Sequence, residues 1–160
     1  MAEGKPKLYY FDLFGRMEST RMTLWKAGVE YEDNRVTGDA WKELKESGKL
    51  DFGQTPMVEL ADGTRLTQSN AIVNYFGAKH GLKPTDPMLC FKGERAVEHV
   101  WSDFVQKHVM KVYYLPDDAK AAALEEMVAG PFKDFLNSLS SKCLGDTKFL
   151  TGDEVTIHDF

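Results

Sequence analysis

Apolar positions change their spacing along the chain near residue 82. Before it, short apolar runs alternate with helical spacings; after it, the pattern is wholly helical. Leu8-Tyr9-Tyr10-Phe11 is a β-rich run and predicts a first strand. Met17, Met22, Leu24 and Trp25 predict a helix over 15–27, and Gly28 stands where a helix end favours glycine. A second strand is predicted over 29–36. It alternates poorly, contains Tyr31 and Val36, and carries the turn-forming pair Asp33-Asn34. Residues 40–46 read as a short helix. Residues 57–60 and 65–67 flank Ala61-Asp62-Gly63-Thr64 and predict a hairpin, because Asp-Gly is a strong two-residue turn signal. Residues 68–79 predict a helix with Ile72, Tyr75 and Phe76 on one side, closed by His80-Gly81. The order is βαβα, then ββα. A helix between the first two strands favours a parallel crossover.

Two prolines, Pro84 and Pro87, mark a linker. The domains are therefore read as 1–82, a linker 83–87, and 88–160. Val97, Val100, Trp101, Phe104, Val105, His108 and Val112 recur at three- and four-residue steps, predicting one long helix over 88–115 that Pro116 stops. Asp117-Asp118 opens a second helix, where negative charge suits the helix dipole. It runs through Leu124, Phe132, Phe135 and Leu139, and Pro131 inside it predicts a kink. Thr156-Ile157-His158-Asp159 fits a capping-box variant at a helix start. Almost no helix follows it, so a longer natural chain is expected.

The composition narrows the function classes. The 160 residues carry 20 Lys and Arg against 25 Asp and Glu, a net charge of −5, which argues against a general nucleic-acid role. With 42% hydrophobic residues a packed core is expected rather than disorder. No apolar run approaches the roughly 20 residues of a membrane span, and Met1 to Lys7 has no hydrophobic stretch behind it, so no secretory signal is expected. Cys90 and Cys143 form neither a disulfide framework nor a CxxC centre, and reduced thiols in a cytoplasmic setting are expected. His99 and His108 have no metal-ligand spacing with other donors, so no metal is expected.

Several segments together resemble the cytosolic glutathione transferases, most of all the sigma class, which includes glutathione-dependent prostaglandin D synthases. Lys7-Leu8-Tyr9-Tyr10-Phe11 followed by Gly15-Arg16-Met17-Glu18 is similar to that class's opening strand and turn. Trp41-Lys42-Glu43-Leu44-Lys45 resembles its Trp-and-Lys pair, and Gly53-Gln54-Thr55-Pro56 its cis-proline loop. Gln68-Ser69-Asn70-Ala71-Ile72 resembles the start of its third helix, and Gly152-Asp153 through Asp159 the start of its buried helix. Each match is weak alone; their order along nearly the whole chain is specific. The resemblance implies an α/β thioredoxin-like domain (βαβαββα), then an all-α domain that is incomplete here, since family members continue for several more helices.

The resemblance also implies a site. Tyr10, directly before Phe11, would donate its hydroxyl to the glutathione thiolate, with Arg16 helping to hold charge near the sulfur. On its own a strand tyrosine is most often core, and Tyr9 would face the other side of the sheet. Gln54, Thr55 and Pro56 would present backbone to the peptide; the family usually has an aliphatic residue where Thr55 stands. Gln68 and Ser69 would hold the γ-glutamyl carboxylate, although a serine here would serve equally as a helix N-cap. Trp41 and Lys45, one helical turn apart, would meet the glycyl carboxylate. Asp103 resembles the acid that reaches the glutathione amine of a neighbouring subunit, so a homodimer is expected. Trp101, Phe104, His108, Met110 and Tyr114 would line an apolar pocket or simply form core.

The implied activity is conjugation of glutathione, as co-substrate, to small hydrophobic electrophiles, with prostaglandin D isomerisation as a specialised form. A non-catalytic, crystallin-like relative is the competing class, but Tyr10, Gln68 and Ser69 are all present. A thiol–disulfide or dehydroascorbate enzyme would want a cysteine near the first helix. Positions 13 to 19 hold none.

Overall fold

The computed structural model describes residues 4–160. The first three residues, where the absence of a signal segment was expected, lie outside the described residues. The chain forms two compact units, one running up to Lys83 and the other spanning Pro84–Asp159.

The first unit runs β1 (Lys7–Tyr10), a 3-10 turn (Gly15–Met17), α1 (Glu18–Lys26), β2 (Glu32–Arg35), α2 (Gly38–Glu46), β3 (Met57–Glu59), β4 (Arg65–Thr67) and α3 (Ser69–Lys79). The sheet order is β2-β1-β3-β4. β1 and β2 are parallel, with Tyr10 opposite Arg35, as the intervening helix requires. β3 runs antiparallel to β1 and to β4. Strand alternation divides the core. Leu8 and Tyr10 point to one face and pack with Met17, Leu24, Val58, Ile72 and Phe76. Tyr9 points to the other, against Val36, Leu44, Leu50 and Met57. Removing a side chain such as Leu8 from water is worth about 1.5–3 kcal/mol.

Four details depart from the sequence reading. Asp33-Asn34 lies inside β2 rather than in a turn, because an edge strand tolerates polar residues that a central one does not. The hairpin loop has three residues. Gly63 N–H donates to the Leu60 carbonyl, Leu60 N–H to the Thr64 carbonyl, and Gly63 takes φ +84°. In α3, Val73 is buried while Tyr75 is exposed. In α1, Met22 and Trp25 face solvent and the buried set includes Arg21.

The second unit opens with α4 (Pro87–Glu98), capped by the Asp86 carboxylate, which accepts from the N–H groups of Met88 and Leu89. Pro87 is therefore the first helical residue and not linker, a position where its missing N–H costs nothing. The long helix continues as a π-type stretch, His99–Val109, and then α5 (Met110–Tyr113). Three- and four-residue spacing does not distinguish this wider turn from an α-helix. Next come α6 (Asp117–Met127), a π-type stretch Val128–Phe132 and α7 (Lys133–Lys142). Pro131 sits in that wide turn, where the clash an α-helical proline makes with the carbonyl four residues earlier is eased. The capping box forms: the Asp159 carboxylate accepts from Thr156 N–H at 2.8 Å and from Leu150 N–H at 2.9 Å. Beside it Gly93 meets the buried His158, and a Cβ at residue 93 would lie 2.3 Å from that ring.

Candidate functional site

The site begins with a hydroxyl brought to a turn. Tyr10 ends β1 with its ring buried, and its phenol oxygen accepts the Arg16 N–H at 3.0 Å. Gly15 makes that approach possible. It takes φ +47°, and a Cβ there would lie 2.7 Å from the Tyr10 hydroxyl.

The turn is held from behind by Arg21, only 6% exposed. Its guanidinium donates to the carbonyls of Leu13 and Phe14 and pairs with Glu18 at 2.9 Å and Asp33 at 3.2 Å. Sequence reasoning missed Arg21. The available signal was a cation placed among the core positions of α1, since a buried charge must find partners.

A hydroxyl has one proton to donate and two lone pairs. Arg16 N–H occupies one lone pair of Tyr10, so the O–H proton remains for another acceptor, and the accepted bond polarises it. Chemically this arrangement can stabilise an anion.

Six of the expected residues gather in one cleft of about 310 Å³: Arg16, Gln54, Thr55, Pro56, Gln68 and Ser69, together with Thr67. The Thr55–Pro56 bond is cis. Pro56 is buried, and the Thr55 hydroxyl is buried without a hydrogen-bond partner. Gln68 has φ 70° and is the one non-glycine residue with positive φ among those described. Such a conformation is costly and concentrates at functional positions. It places Gln68, not Ser69, at the N-cap of α3, and no side chain caps that end. Ser69 is the first helical residue, so the simple capping role is corrected. An uncapped helix start offers N–H groups and a positive dipole end to an anion.

Trp41 and Lys45 share a face of α2. Trp41 sets its ring edge on Phe11 at 5.0 Å, and the Lys45 ammonium stands 6.0 Å from the Trp41 ring centre. Neither lines the cleft, and nor does Tyr10, which reaches it only through its bond to Arg16. Asp103 belongs to the helical unit, where its carboxylate meets Lys107 at 2.6 Å and His99 at 3.1 Å. The Lys107 hydrogen bond, then that of His99, holds this carboxyl below the usual carboxylate range. Of the apolar stripe, Phe104 is buried and Tyr114 is 76% exposed. Among the described residues no three His, Cys, Asp or Glu side chains are grouped to hold a metal ion, and no helix is long and apolar enough to cross a membrane.

Residues 6–77 match the pattern described as "Glutathione S-transferase, N-terminal domain". The rat (Rattus norvegicus) protein "Glutathione S-transferase alpha-5" is 41% identical over 128 residues, 78% of this chain and 55% of that one. This chain thus spans about half the length of the curated relatives it matches. The solved glutathione S-transferase from Ascaris lumbricoides superposes with a TM-score of 0.80 at 31% identity, covering 97% of this chain and 76% of that one. Rat hPGDS, solved in complex with a quinoline, superposes with a TM-score of 0.83 at 27% identity, over 98% and 76%. The shared fold is a sheet domain of thioredoxin-like order followed by helices, and on this likeness the chain belongs to the glutathione S-transferase family.

Proposed function

We propose that this protein is a glutathione transferase that joins the glutathione thiolate to small hydrophobic electrophiles. The observation that carries the reading is the Tyr10 hydroxyl, which accepts the Arg16 N–H; in this reading its own proton goes to the sulfur anion. The required energy fits one such group. A free thiol has a pKa near ~8.5, so only roughly 3% is thiolate at pH 7. Lowering it to about 6.5 needs ~2.7 kcal/mol, and a hydrogen bond to a charged acceptor contributes roughly 1.5–3 kcal/mol. No metal or general base is needed.

The other residues take peptide-binding roles. Gln54, Thr55 and Pro56 line the cleft before β3, and in this reading their backbone pairs with an extended peptide. Gln68, Ser69 and the open start of α3 suit the γ-glutamyl carboxylate. Trp41 and Lys45 suit the glycyl carboxylate. Asp103 would serve the site of a second copy, which makes a homodimer part of the reading, and the setting is cytoplasmic. The sigma-class assignment rests on the ordered motifs and on the likeness to rat hPGDS, and it favours prostaglandin D isomerisation as a second reading. The identity to the alpha-5 relative favours general conjugation. Products formed from prostaglandin H2 with glutathione separate the two.

The test is glutathione conjugation to 1-chloro-2,4-dinitrobenzene by native protein and Tyr10→Phe. A lost bond of 1.5–3 kcal/mol predicts a fall in kcat/KM of roughly 10–100-fold near pH 6.5. The gap should narrow near pH 9, where glutathione ionises unaided. An unchanged rate at the lower pH would refute the role of Tyr10.

A further inference from the structure

His99 joins two helices of the second unit through both ring nitrogens. Its Nδ1 lies 3.1 Å from Asp103 Oδ2, and its Nε2 lies 2.5 Å from Ser138 Oγ. Asp103 and His99 are four residues apart on one helix, and Ser138 comes from α7, 39 residues away. Hydroxyl, imidazole and carboxylate therefore stand in hydrogen-bonded sequence, the order that activates a serine nucleophile.

Proton placement follows from the partners. A carboxylate only accepts, so the nitrogen facing Asp103 carries a hydrogen. In neutral imidazole the other nitrogen then has a lone pair, and it faces the Ser138 hydroxyl. Ser138 has one further acceptor, the Phe135 carbonyl at 2.9 Å. Lys107 holds Asp103 Oδ1 at 2.6 Å, which steadies the other carboxylate oxygen against His99.

A cavity of about 330 Å³ adjoins these groups. Phe104 and Phe135, stacked at 4.5 Å, give it an apolar wall. The Lys107 ammonium also lines it. Lysine has three donors and Asp103 uses one, so donors remain for a carbonyl oxygen that gains charge.

We propose that Ser138, His99 and Asp103 form a second reactive site that hydrolyses small carboxylic esters bearing an aryl or other apolar group, without glutathione. Ser138 Oγ bonds to the ester carbonyl carbon as its proton passes to His99 Nε2. The carbon–oxygen bond to the leaving group breaks, and that oxygen takes the proton from His99. Water then attacks the acyl-serine. Its proton goes to His99 and on to Ser138 Oγ, releasing the carboxylic acid. His99 must be neutral to act as the base. The ionisable groups facing it around the cavity are Asp103, Lys107 and His108 from its own helix and Asp134 from α7.

The test treats native protein near pH 8 with a fluorophosphonate, which phosphonylates an activated serine and releases fluoride, and locates the adduct by peptide mass spectrometry. Hydrolysis of p-nitrophenyl acetate is followed in parallel without glutathione. The adduct is expected on Ser138, suppressed by excess ester. Ser138→Ala should hydrolyse at the background rate, and His99→Gln should lose roughly 100-fold or more, the usual worth of a general base. Thermal melts of both variants report folding. A native protein with no adduct on Ser138, or a folded Ser138→Ala with native hydrolysis, overturns the proposal.

Discussion

Leu8, Met17, Leu24, Met57 and Val58 of the sheet unit are fully buried, whereas α6 and α7 of the helical unit bury no residue. The sheet unit covers apolar side chains on both faces of β1, and its cleft is carried on that packing. In the helical unit Phe104 and Ile157 are buried, but Leu124, Leu136 and Tyr113 stay exposed. Its chemically interesting groups are tied by hydrogen bonds near the surface, with the His99 side chain 27% exposed and that of Asp103 51%. The two units therefore respond differently to substitution. Changes in the sheet unit act on folding and site geometry together. Changes on the exposed helices α6 and α7 should disturb folding less.

The largest effect should separate the two cores. Phe76→Ala removes a nearly fully buried ring and should cost about 3–5 kcal/mol in urea unfolding. Leu136→Ala on exposed α7 should stay within about 0.5 kcal/mol of native. Comparable losses would break the contrast. Arg21→Met comes next. It keeps the aliphatic stem and removes the bonds to Leu13, Phe14, Glu18 and Asp33, so about 2–3 kcal/mol should be lost. Conjugation should fall as well, because the turn that carries Arg16 N–H to Tyr10 loosens. A stable variant with native conjugation would show that the clamp is not needed.

The smallest effect on stability belongs to Asp103. Its carboxyl is held low by Lys107 and then His99, so its contribution to stability is present above the ordinary carboxylate range and disappears as pH falls through the folded value. Asp103→Asn should melt slightly below native at about pH 7 and together with it at about pH 2. A gap that persists in acid would show that the residue acts through shape rather than charge.

Much of the sheet unit was legible because its elements declare themselves locally. The β-rich run at residues 8–11, the Asp62-Gly63 turn and the helical spacing of Ile72 and Phe76 all act over a few residues. β2 was harder. Glu32-Asp33-Asn34-Arg35 has no strand pattern and is a strand only because β1 pairs with it. The cleft residues were reached through ordered motifs, but the positive φ of Gln68 and the bond from Arg16 N–H to Tyr10 are backbone facts that side-chain identity does not encode. The Arg21 clamp and the His99–Ser138 contact were out of reach, since both depend on which segments meet in space. Pro131 announced a disturbance, and the wide turn around it is the form that disturbance takes.

In the proposed function the Tyr10 hydroxyl stabilises a thiolate. The most direct measurement is the ultraviolet absorbance of the thiolate of bound glutathione, titrated against pH in native protein and Tyr10→Phe. Native protein should hold the bound thiol about two units below the free value of ~8.5, and Tyr10→Phe should return it towards that value. A bound thiol that titrates as in free glutathione, or a depressed value that survives Tyr10→Phe, would contradict the account.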